Sequence, residues 1–268
     1  MIYGIVGGRT YRALHLVRDY VMGLPVGDYD VASPPPASVV VSGHAAGVDI
    51  VAEITAHQRG LPTVIFPARG ASHAEFTKAA FARNTLIAQR SDELDAFVNS
   101  ESRGTWDTVQ KARLFGKVVR IHEEPAEPAL LFHTAVHPNT RQAPRGYRGP
   151  SMLDITRGSG REGLPFAPSA ALLSEARSNG FDWYKPRYVE EMRQSWKANR
   201  AAWDLLLGRN HVVCVCYCAD RDLCHRGLFA ALIVKAGEWS GRRVIDGGEV
   251  VLPSRPPSVS KGDDQPAQ

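Results

Sequence analysis

Short apolar runs that end in glycine and then pass into amphipathic segments recur along this chain, and they constrain its fold more than any other feature. The first run, IYGIV at 2–6, is closed by Gly7 and Gly8 before YRALHLVRDYVM, whose apolar residues have helical spacing. A second run, SVVV at 38–41, meets Ser-Gly and continues into an amphipathic segment that ends at Gly60. Strands that alternate with helices imply right-handed crossovers and a mainly parallel sheet, with the ligand crevice at the carboxyl ends of its strands.

The same alternation continues to residue 124 and defines a first predicted domain at 1–124. PTVIFPA, ELDAFVN and KVVRIH read as further strands, and EFTKAAFARNTLIAQRS and TWDTVQKARLFG read as helices. The stretch GDYDVASPPPA is predicted to be a loop, because consecutive prolines fit neither a helix interior nor a central strand. EEPAEPA then serves as a polar, proline-rich linker.

A second α/β pattern follows at 128–252. LLFHTAV, LDITRGSG and HVVCVCYC supply strand signals, and CHRGLFAALIVKAG supplies a helix that ends at Gly237. Between them, YVEEMRQSWKANRAAWDLLL reads as one long helix whose apolar stripe is predicted to pack in the core. The stripe consists of Val189, Met192, Trp196, Trp203 and Leu206. The expected fold class is α/β, with two Rossmann-like domains that are each a mainly parallel sheet flanked by helices, and residues 253–268 are expected to form a disordered tail.

Composition and charge narrow the class of protein. The chain has 44% hydrophobic and 22% charged residues, which is ordinary for a globular protein. Because no apolar run approaches the ~20 residues of a membrane span and the N-terminus lacks signal-peptide features, a cytoplasmic protein without membrane contact is expected. The formal net charge of +4 permits a phosphate-bearing small molecule, and it leaves nucleic-acid binding and homo-oligomerisation open.

Glycine-rich loops with basic or hydroxyl side chains follow several predicted strands. GGRTY follows the first strand, SGHAAGVD the second, and ESRGTWDT a later one. Glycines let an anion approach backbone amides closely, and the start of a helix adds positive dipole character. Asp49 lies early in the second helix, where its carboxylate could cap the helix or hold a ribose hydroxyl. Several such loops at one sheet edge predict a phosphate site.

Three motifs in the first half, SGHAAGVD, FARN and SRGTWDTVQKARLFGKVV, resemble the SLOG superfamily, which joins DprA to the LOG phosphoribohydrolases, and they are most similar to its YspA-related branch. The resemblance covers residues 2–122. It implies a Rossmann-like sheet that binds a nucleotide or nucleotide-derived ligand. The residues that it implies around the ligand are Gly43, Gly47, Asp49, Arg83, Asn84, Gly104 and Thr105.

One departure from this family bears on catalysis. The resemblance implies a glutamate three residues after the threonine of the Gly-Thr turn, and this chain has Thr108 there. A carboxylate suits cleavage of an N-glycosidic bond, because it stabilises an oxocarbenium-like sugar. Asp107 or Asp49 is therefore expected to supply that group if the chain hydrolyses or transfers at this bond. The alternative is a non-catalytic nucleotide sensor or a DprA-like nucleic-acid-processing module.

The second half resembles an uncharacterised bacterial family of Rossmann-like domains with a C-terminal Cys-His-Arg. The resemblance covers residues 129–240 and rests on YRGPSMLDITRGSG, FAPS, RYVEEMRQSWKANRAAW and CYCADRDLCHRGLFAALIVKAG. The Cys-His-Arg triplet lies where a loop enters a helix. The helix N-terminus and two basic neighbours are therefore expected to lower the pKa of Cys224 and to attract an anion.

The four cysteines allow three interpretations. Cys214 is expected to be buried, because cysteine packs like a small apolar residue on a strand. A zinc site would use Cys216 or Cys218 with Cys224 and His225, but the CADRDLC separation exceeds the usual knuckle spacing, so no cofactor and no metal are expected. The third interpretation makes Cys218 and Cys224 the rim of a pocket in which two arginines face an anion. The predicted catalytic residues are Asp107, Asp49 and Cys224, and the predicted ligand-binding residues are Gly7, Gly8, Arg9, Ser42, Gly43, Gly47, Arg83, Asn84, Ser102, Arg103, Gly104, Thr105, Arg157, Cys218, His225 and Arg226.

Overall fold

The structure is a computed structural model that describes residues 1–26, 38–140, 147–158 and 161–250. The predicted loop at 27–37 and the predicted disordered tail at 253–268 lie outside these residues.

Five parallel strands form the first sheet, in the order β3-β2-β1-β4-β5. They are β1 (Ile2–Gly7), β2 (Val39–Ser42), β3 (Thr63–Ile65), β4 (Glu93–Val98) and β5 (Val118–Glu123). The helices of this half are α1 (Leu14–Gly23), α2 (Val48–Gln58), α3 (His73–Arg90) and α4 (Arg103–Leu114). The strand order reverses between β1 and β4, and in open parallel sheets such a switch point opens a crevice at the carboxyl ends of the strands.

Alternating side chains of the central strand β1 build the core on both faces of this sheet. Ile5 packs with apolar residues of α1 and α2 on one face, and the next residue, Val6, packs with Ile87 of α3 and Val109 of α4 on the other. Successive side chains of a strand point to opposite faces, so a strand buried on both sides reads as a continuous apolar run. The run IYGIV therefore marks a central strand.

Four parallel strands form the second sheet, in the order β7-β8-β6-β9. They are β6 (Leu130–Val136), β7 (Met152–Asp154), β8 (His211–Cys216) and β9 (Val244–Glu249). Its helices are α5 (Ala170–Asn179), α6 (Phe181–Ala198), α7 (Arg200–Leu207) and α8 (His225–Ser240). Two parallel sheets flanked by helices confirm the predicted fold class.

The structure differs from the sequence-based expectation at two elements of the second half. The predicted single long helix begins earlier, at Phe181, and is broken at Asn199 into α6 and α7. Strand β9 was not predicted, because its sequence VIDGGE interrupts the apolar pattern with two glycines. Core packing of the aromatic stripe is confirmed for Met192, Trp203 and Leu206, with Trp196 packed at the edge of the same cluster.

Helices α1 and α2 lie between the two sheets. Leu131 of β6 joins the cluster that α1 and α2 form with the first sheet, and Ile50 and Ile54 of α2 pack against Val213 and Val215 of β8. The side-chain amide of Gln58, at the end of α2, donates hydrogen bonds to two carbonyls of β9 at 2.9 and 2.8 Å. One face of the second sheet is thus covered by helices of the first half, and the other by its own helices α5–α8.

Among the helices described, none is long and apolar enough to cross a membrane.

Candidate functional site

A cavity of about 340 Å³ opens at the carboxyl edge of the first sheet, where its strand order reverses. The end of β1, the loop after β2 and the loop after β4 meet there, and α3 forms the opposite wall. The volume falls within the range of small-molecule sites, ~300–1,000 Å³. The predicted site residues that line it are Gly7, Gly8, Arg9, Asp49, Arg83, Asn84, Ser102, Gly104 and Thr105.

Arg83 and Asn84 form the polar wall of the cavity. The Asn84 side-chain oxygen accepts hydrogen bonds from Arg83 Nε at 3.2 Å and Nη2 at 3.0 Å, and Arg83 Nη1 donates to the Gly43 carbonyl at 3.0 Å. The Asn84 amide nitrogen donates to the Gly104 carbonyl at 3.2 Å and to Asp107 Oδ2 at 3.0 Å. These bonds hold the guanidinium in one orientation, which reduces the entropy lost when it binds an anion.

Two glycines of the SGHAAGVD loop are required by this geometry. A Cβ atom at Gly43 would lie 2.7 Å from Arg83 Nη1, so a larger residue would displace the guanidinium. Gly47 has φ of +91°, which disfavours residues with a side chain. Both support the cavity from behind and do not themselves line it.

Asp49 is the buried carboxylate of the cavity, with 3% of its surface exposed. Its Oδ2 accepts hydrogen bonds from the backbone amides of Gly43 at 3.1 Å and Ala45 at 3.2 Å, so it fixes the loop before α2. Burial raises the pKa of Asp49 to about 6, although the Arg83 charge opposes this. A carboxyl group that titrates close to neutral pH is suited to general acid–base chemistry.

Two helices begin at the cavity edge without a side-chain cap. Neither the α2 N-cap, Gly47, nor the α4 N-cap, Ser102, makes a capping hydrogen bond. The Ser102 hydroxyl donates to the Asn99 side-chain oxygen at 2.9 Å. Helix starts of this kind present backbone amides and positive dipole character to an anion.

The remaining predicted residues of the first half lie outside the cavity lining. Ser42 donates its hydroxyl hydrogen to Glu53, and Arg103 is exposed. Asp107 Oδ2 accepts from Asn84 and from Lys111 Nζ at 2.7 Å. The Asp107 carboxylate therefore fixes the Asn84 side chain and does not line the cavity.

Sequence reasoning did not predict several residues of the cavity lining. Thr108, at the position where the family resemblance implies a glutamate, lines the cavity, so this position is polar and uncharged. Glu101, an exposed residue, also lines the cavity and adds a second carboxylate to its lining. The available signal for Glu101 was its place in the ESRGT turn, directly before a helix start at the sheet edge. The rings of Phe76 and Phe81 supply apolar surface to the cavity. The sequence placed both residues in a helix but did not predict that they face a site.

A second set of chemically active side chains lies at the carboxyl edge of the second sheet, where β8 ends and α8 begins. Cys216 Sγ lies 3.8 Å from Cys218 Sγ and 3.8 Å from His225 Nδ1, and Cys224 Sγ lies 3.9 Å from the same nitrogen. The donor atoms of Cys216, Cys224 and His225 are all within 4.8 Å of one another, so these residues could hold a metal ion. Cys214 is fully buried in the core, as expected, and all four cysteines are free thiols.

The direction of the Cys224 pKa shift is opposite to the one expected from sequence. A hydrogen bond from Cys216 lowers the pKa of Cys224, but its hydrogen bond to Cys218 and its burial outweigh this and raise the pKa to about 11. Hydrogen bonds from Cys216 and Cys224, aided by His225 and Arg226, lower the pKa of Cys218 instead. Cys218 is also the exposed thiol, whereas Cys224 is buried.

The two arginines expected to face an anion beside these cysteines are engaged elsewhere. Arg226 is fully buried and donates to the carbonyls of Cys218 at 2.6 Å and Ala219 at 3.1 Å, and it forms an ion pair with Glu249 at 2.9 Å. Arg157 donates to the Pro168 carbonyl at 3.2 Å. Arg226 thus fixes the loop after β8 to β9 and does not present its charge to solvent.

A further polar group at the same sheet edge was not predicted. His137, after β6, has Nε2 at 3.2 Å from Asp154 Oδ2 at the end of β7, and the Tyr217 ring lies 4.2 Å from the imidazole ring between centroids. The signal in the sequence was a histidine and an aspartate placed directly at predicted strand ends.

Comparisons with known proteins give two matches. A family model described as DUF488-N3a, the active DUF488-N3 subclade, matches residues 140–237, the segment that contains the cysteine cluster. DNA processing protein A (DprA) from Streptococcus pneumoniae is similar in structure, with 21% sequence identity and a TM-score of 0.35 over 44% of this chain and 49% of that chain. The chain thus spans about half the length of that structure. No curated protein matches the chain.

Proposed function

We propose that this chain binds a nucleoside phosphate in the cavity of the first sheet and cleaves or transfers at its N-glycosidic bond. The observation that carries the proposal is the convergence, at one switch point, of a fixed arginine, two uncapped helix starts and a buried carboxyl group whose pKa is raised to about 6. The arginine and the helix starts suit a phosphate group. The carboxyl group suits an oxocarbenium-like transition state.

Each lining residue is given a proposed role that its position in the cavity supports. Arg83, held by Asn84 and the Gly43 carbonyl, binds the phosphate with the amides at the start of α4. Phe76 and Phe81 supply apolar surface against which a base can lie. Asp49 is the acid–base group, since its carboxyl group is buried with a pKa raised to about 6, whereas Glu101 is exposed and Asp107 is bound to Asn84 and Lys111.

A panel of nucleoside monophosphates tests binding and turnover separately. Arg83→Ala is expected to weaken binding by roughly 1.5–3 kcal/mol in calorimetry, because it removes hydrogen bonds to a charged group. Arg90→Ala is the matched control, since Arg90 is an exposed arginine in the last turn of the same helix and does not line the cavity. Equal affinities in the two folded variants would remove Arg83 from the site.

Release of free base, followed by chromatography, tests the catalytic part. Wild type is expected to release base, and Asp49→Asn is expected to bind the nucleotide while releasing none, because an amide cannot exchange a proton. Tight binding without release by the wild-type protein would contradict catalysis and favour the non-catalytic sensor, which the replacement of the family glutamate by Thr108 also supports.

A further inference from the structure

We propose that Cys216, Cys218, Cys224 and His225 form a tetrahedral binding site for a divalent zinc-type metal ion, which ties the end of β8 to the start of α8. The proposal is independent of the nucleotide site, because these residues belong to the second sheet and do not line the cavity of the first. It differs from the expectation of a metal-free chain that the residue spacing gave.

The distances among the three buried donor atoms are close to those around a tetrahedral ion. With zinc–sulfur bonds of about 2.3 Å and zinc–nitrogen bonds of about 2.0 Å, neighbouring sulfurs lie about 3.8 Å apart, and sulfur and nitrogen about 3.5 Å apart. The observed separations are 3.8 Å between Cys216 and Cys218, and 3.8 and 3.9 Å from Cys216 and Cys224 to His225 Nδ1. The fourth donor, Cys218 Sγ, lies 3.8 Å from Cys216 Sγ but outside the set of three donor atoms that are all within 4.8 Å of one another, so it completes the tetrahedron only after its exposed side chain turns toward the ion.

The orientation of His225 favours coordination through Nδ1. Its Nε2 lies 3.3 Å from the carbonyl oxygen of Ile155. Because a carbonyl only accepts, this hydrogen bond requires the proton on Nε2, which leaves the Nδ1 lone pair directed at the thiols. A histidine ligand whose second nitrogen donates to a backbone carbonyl is the usual arrangement in protein metal sites.

The surroundings offset part of the charge of the loaded site, although the nearby Arg226 guanidinium is already paired with Glu249. Three thiols lose three protons when they coordinate, so three thiolates and a divalent ion leave a net charge of −1. The buried guanidinium of Arg226 lies beside the cluster, and the Arg226 backbone amide donates to Cys224 Sγ at 3.5 Å at the N-terminus of α8. A buried cation and a helix start both stabilise a negative site. Sulfur and imidazole donors favour zinc over magnesium or calcium, which prefer oxygen ligands.

Cobalt titration of the full chain tests the site. Metal-free, reduced protein titrated with Co²⁺ without oxygen is expected to develop the visible bands of tetrahedral cobalt and a sulfur-to-cobalt charge-transfer band, which saturate at one ion per chain. Zn²⁺ added afterwards is expected to displace the cobalt and abolish both bands. A reduced, folded wild-type protein that shows no charge-transfer band would overturn the proposal.

Cysteine variants locate the ion. Cys224→Ala is expected to abolish the charge-transfer band. Cys218→Ser is expected to weaken Co²⁺ binding at least ten-fold. Because Cys218 is exposed, this variant still tests the site if Cys224→Ala, at a buried position, does not fold. Cys214→Ala is the matched control, because Cys214 lies on the same strand but packs in the core, and its band is expected to equal that of wild type. Equal bands in Cys218→Ser and wild type would contradict a four-ligand site.

Discussion

Replacing Asp49 by asparagine is expected to change the pH dependence of stability in a defined direction. The pKa of Asp49 is raised from 3.8 to about 6 because burial disfavours the ionised carboxylate. Between these two values the unfolded chain has released a proton that the folded chain still holds, so the free energy of unfolding falls as pH rises, by about 1.4 kcal/mol per pH unit. Over the whole pH window, Asp49 contributes roughly 3 kcal/mol to the free energy of unfolding. This contribution is fully present below the pKa of Asp49 in the unfolded chain and is lost above its pKa in the folded chain.

The assay is urea unfolding of wild type and Asp49→Asn over a range from pH ~4 to pH ~8. Asparagine keeps the size of the side chain and an oxygen that can accept from the Gly43 and Ala45 amides, but it carries no titratable proton. The stability of wild type relative to the variant is expected to fall up to about pH 6 and then to stay constant. Asp182→Asn, at an aspartate whose side chain is 99% exposed, is expected to show no such fall. A flat difference for Asp49→Asn, or wild type gaining stability as pH rises, would refute a protonated Asp49 in the fold.

Two further substitutions test the packing around the second sheet. Ile54→Ala, in the helix that both sheets share, is expected to lower the free energy of unfolding by roughly 2–5 kcal/mol, while Leu205→Ala, at a leucine that is 74% exposed, should cost under about 0.5 kcal/mol. Equal costs in urea unfolding would contradict the shared interface. Gly247→Ala places a Cβ 2.3 Å from the buried His133 ring and is expected to cost roughly 1–3 kcal/mol, whereas Gly158→Ala meets nothing within 4 Å. A thermal melt of Gly247→Ala identical to that of wild type would show that β6 and β9 do not approach this closely.

The central strands of the two sheets could be predicted from the sequence because they are buried on both faces. Such strands form nearly continuous apolar runs, and β1 and β2 run into glycines, at Gly7 and Gly43. What could not be predicted is the placement of α1 and α2 between the sheets. Burial of Ile50 and Ile54 against the second sheet widens the apolar face of α2, but periodicity alone does not reveal which partner covers it.

The first candidate site could be predicted to the level of loops, and less well to the level of individual side chains. Loops at the carboxyl ends of parallel strands converge for topological reasons, so Arg9, Ser102 and Thr105 are found around one cavity. Whether a particular carboxylate faces that cavity depends on its position around a helix and on competing partners. Asp107 illustrates this, because Asn84 and Lys111 hold it behind the wall while its neighbour Thr108 faces the cavity.

The cysteine cluster shows why spacing along the chain is an incomplete guide to a metal site. The usual two-to-four-residue knuckle applies when a tight turn brings both ligands together. In this chain β8 ends at Cys216 and α8 begins at His225, and the loop between them leaves the sheet edge and returns to it. Arg226 closes that loop by binding the carbonyls of Cys218 and Ala219, so Cys224 returns to Cys218 despite the longer separation. The arginine that sequence reasoning assigned to an anion thus fixes the loop that carries Cys218, one of the proposed metal ligands.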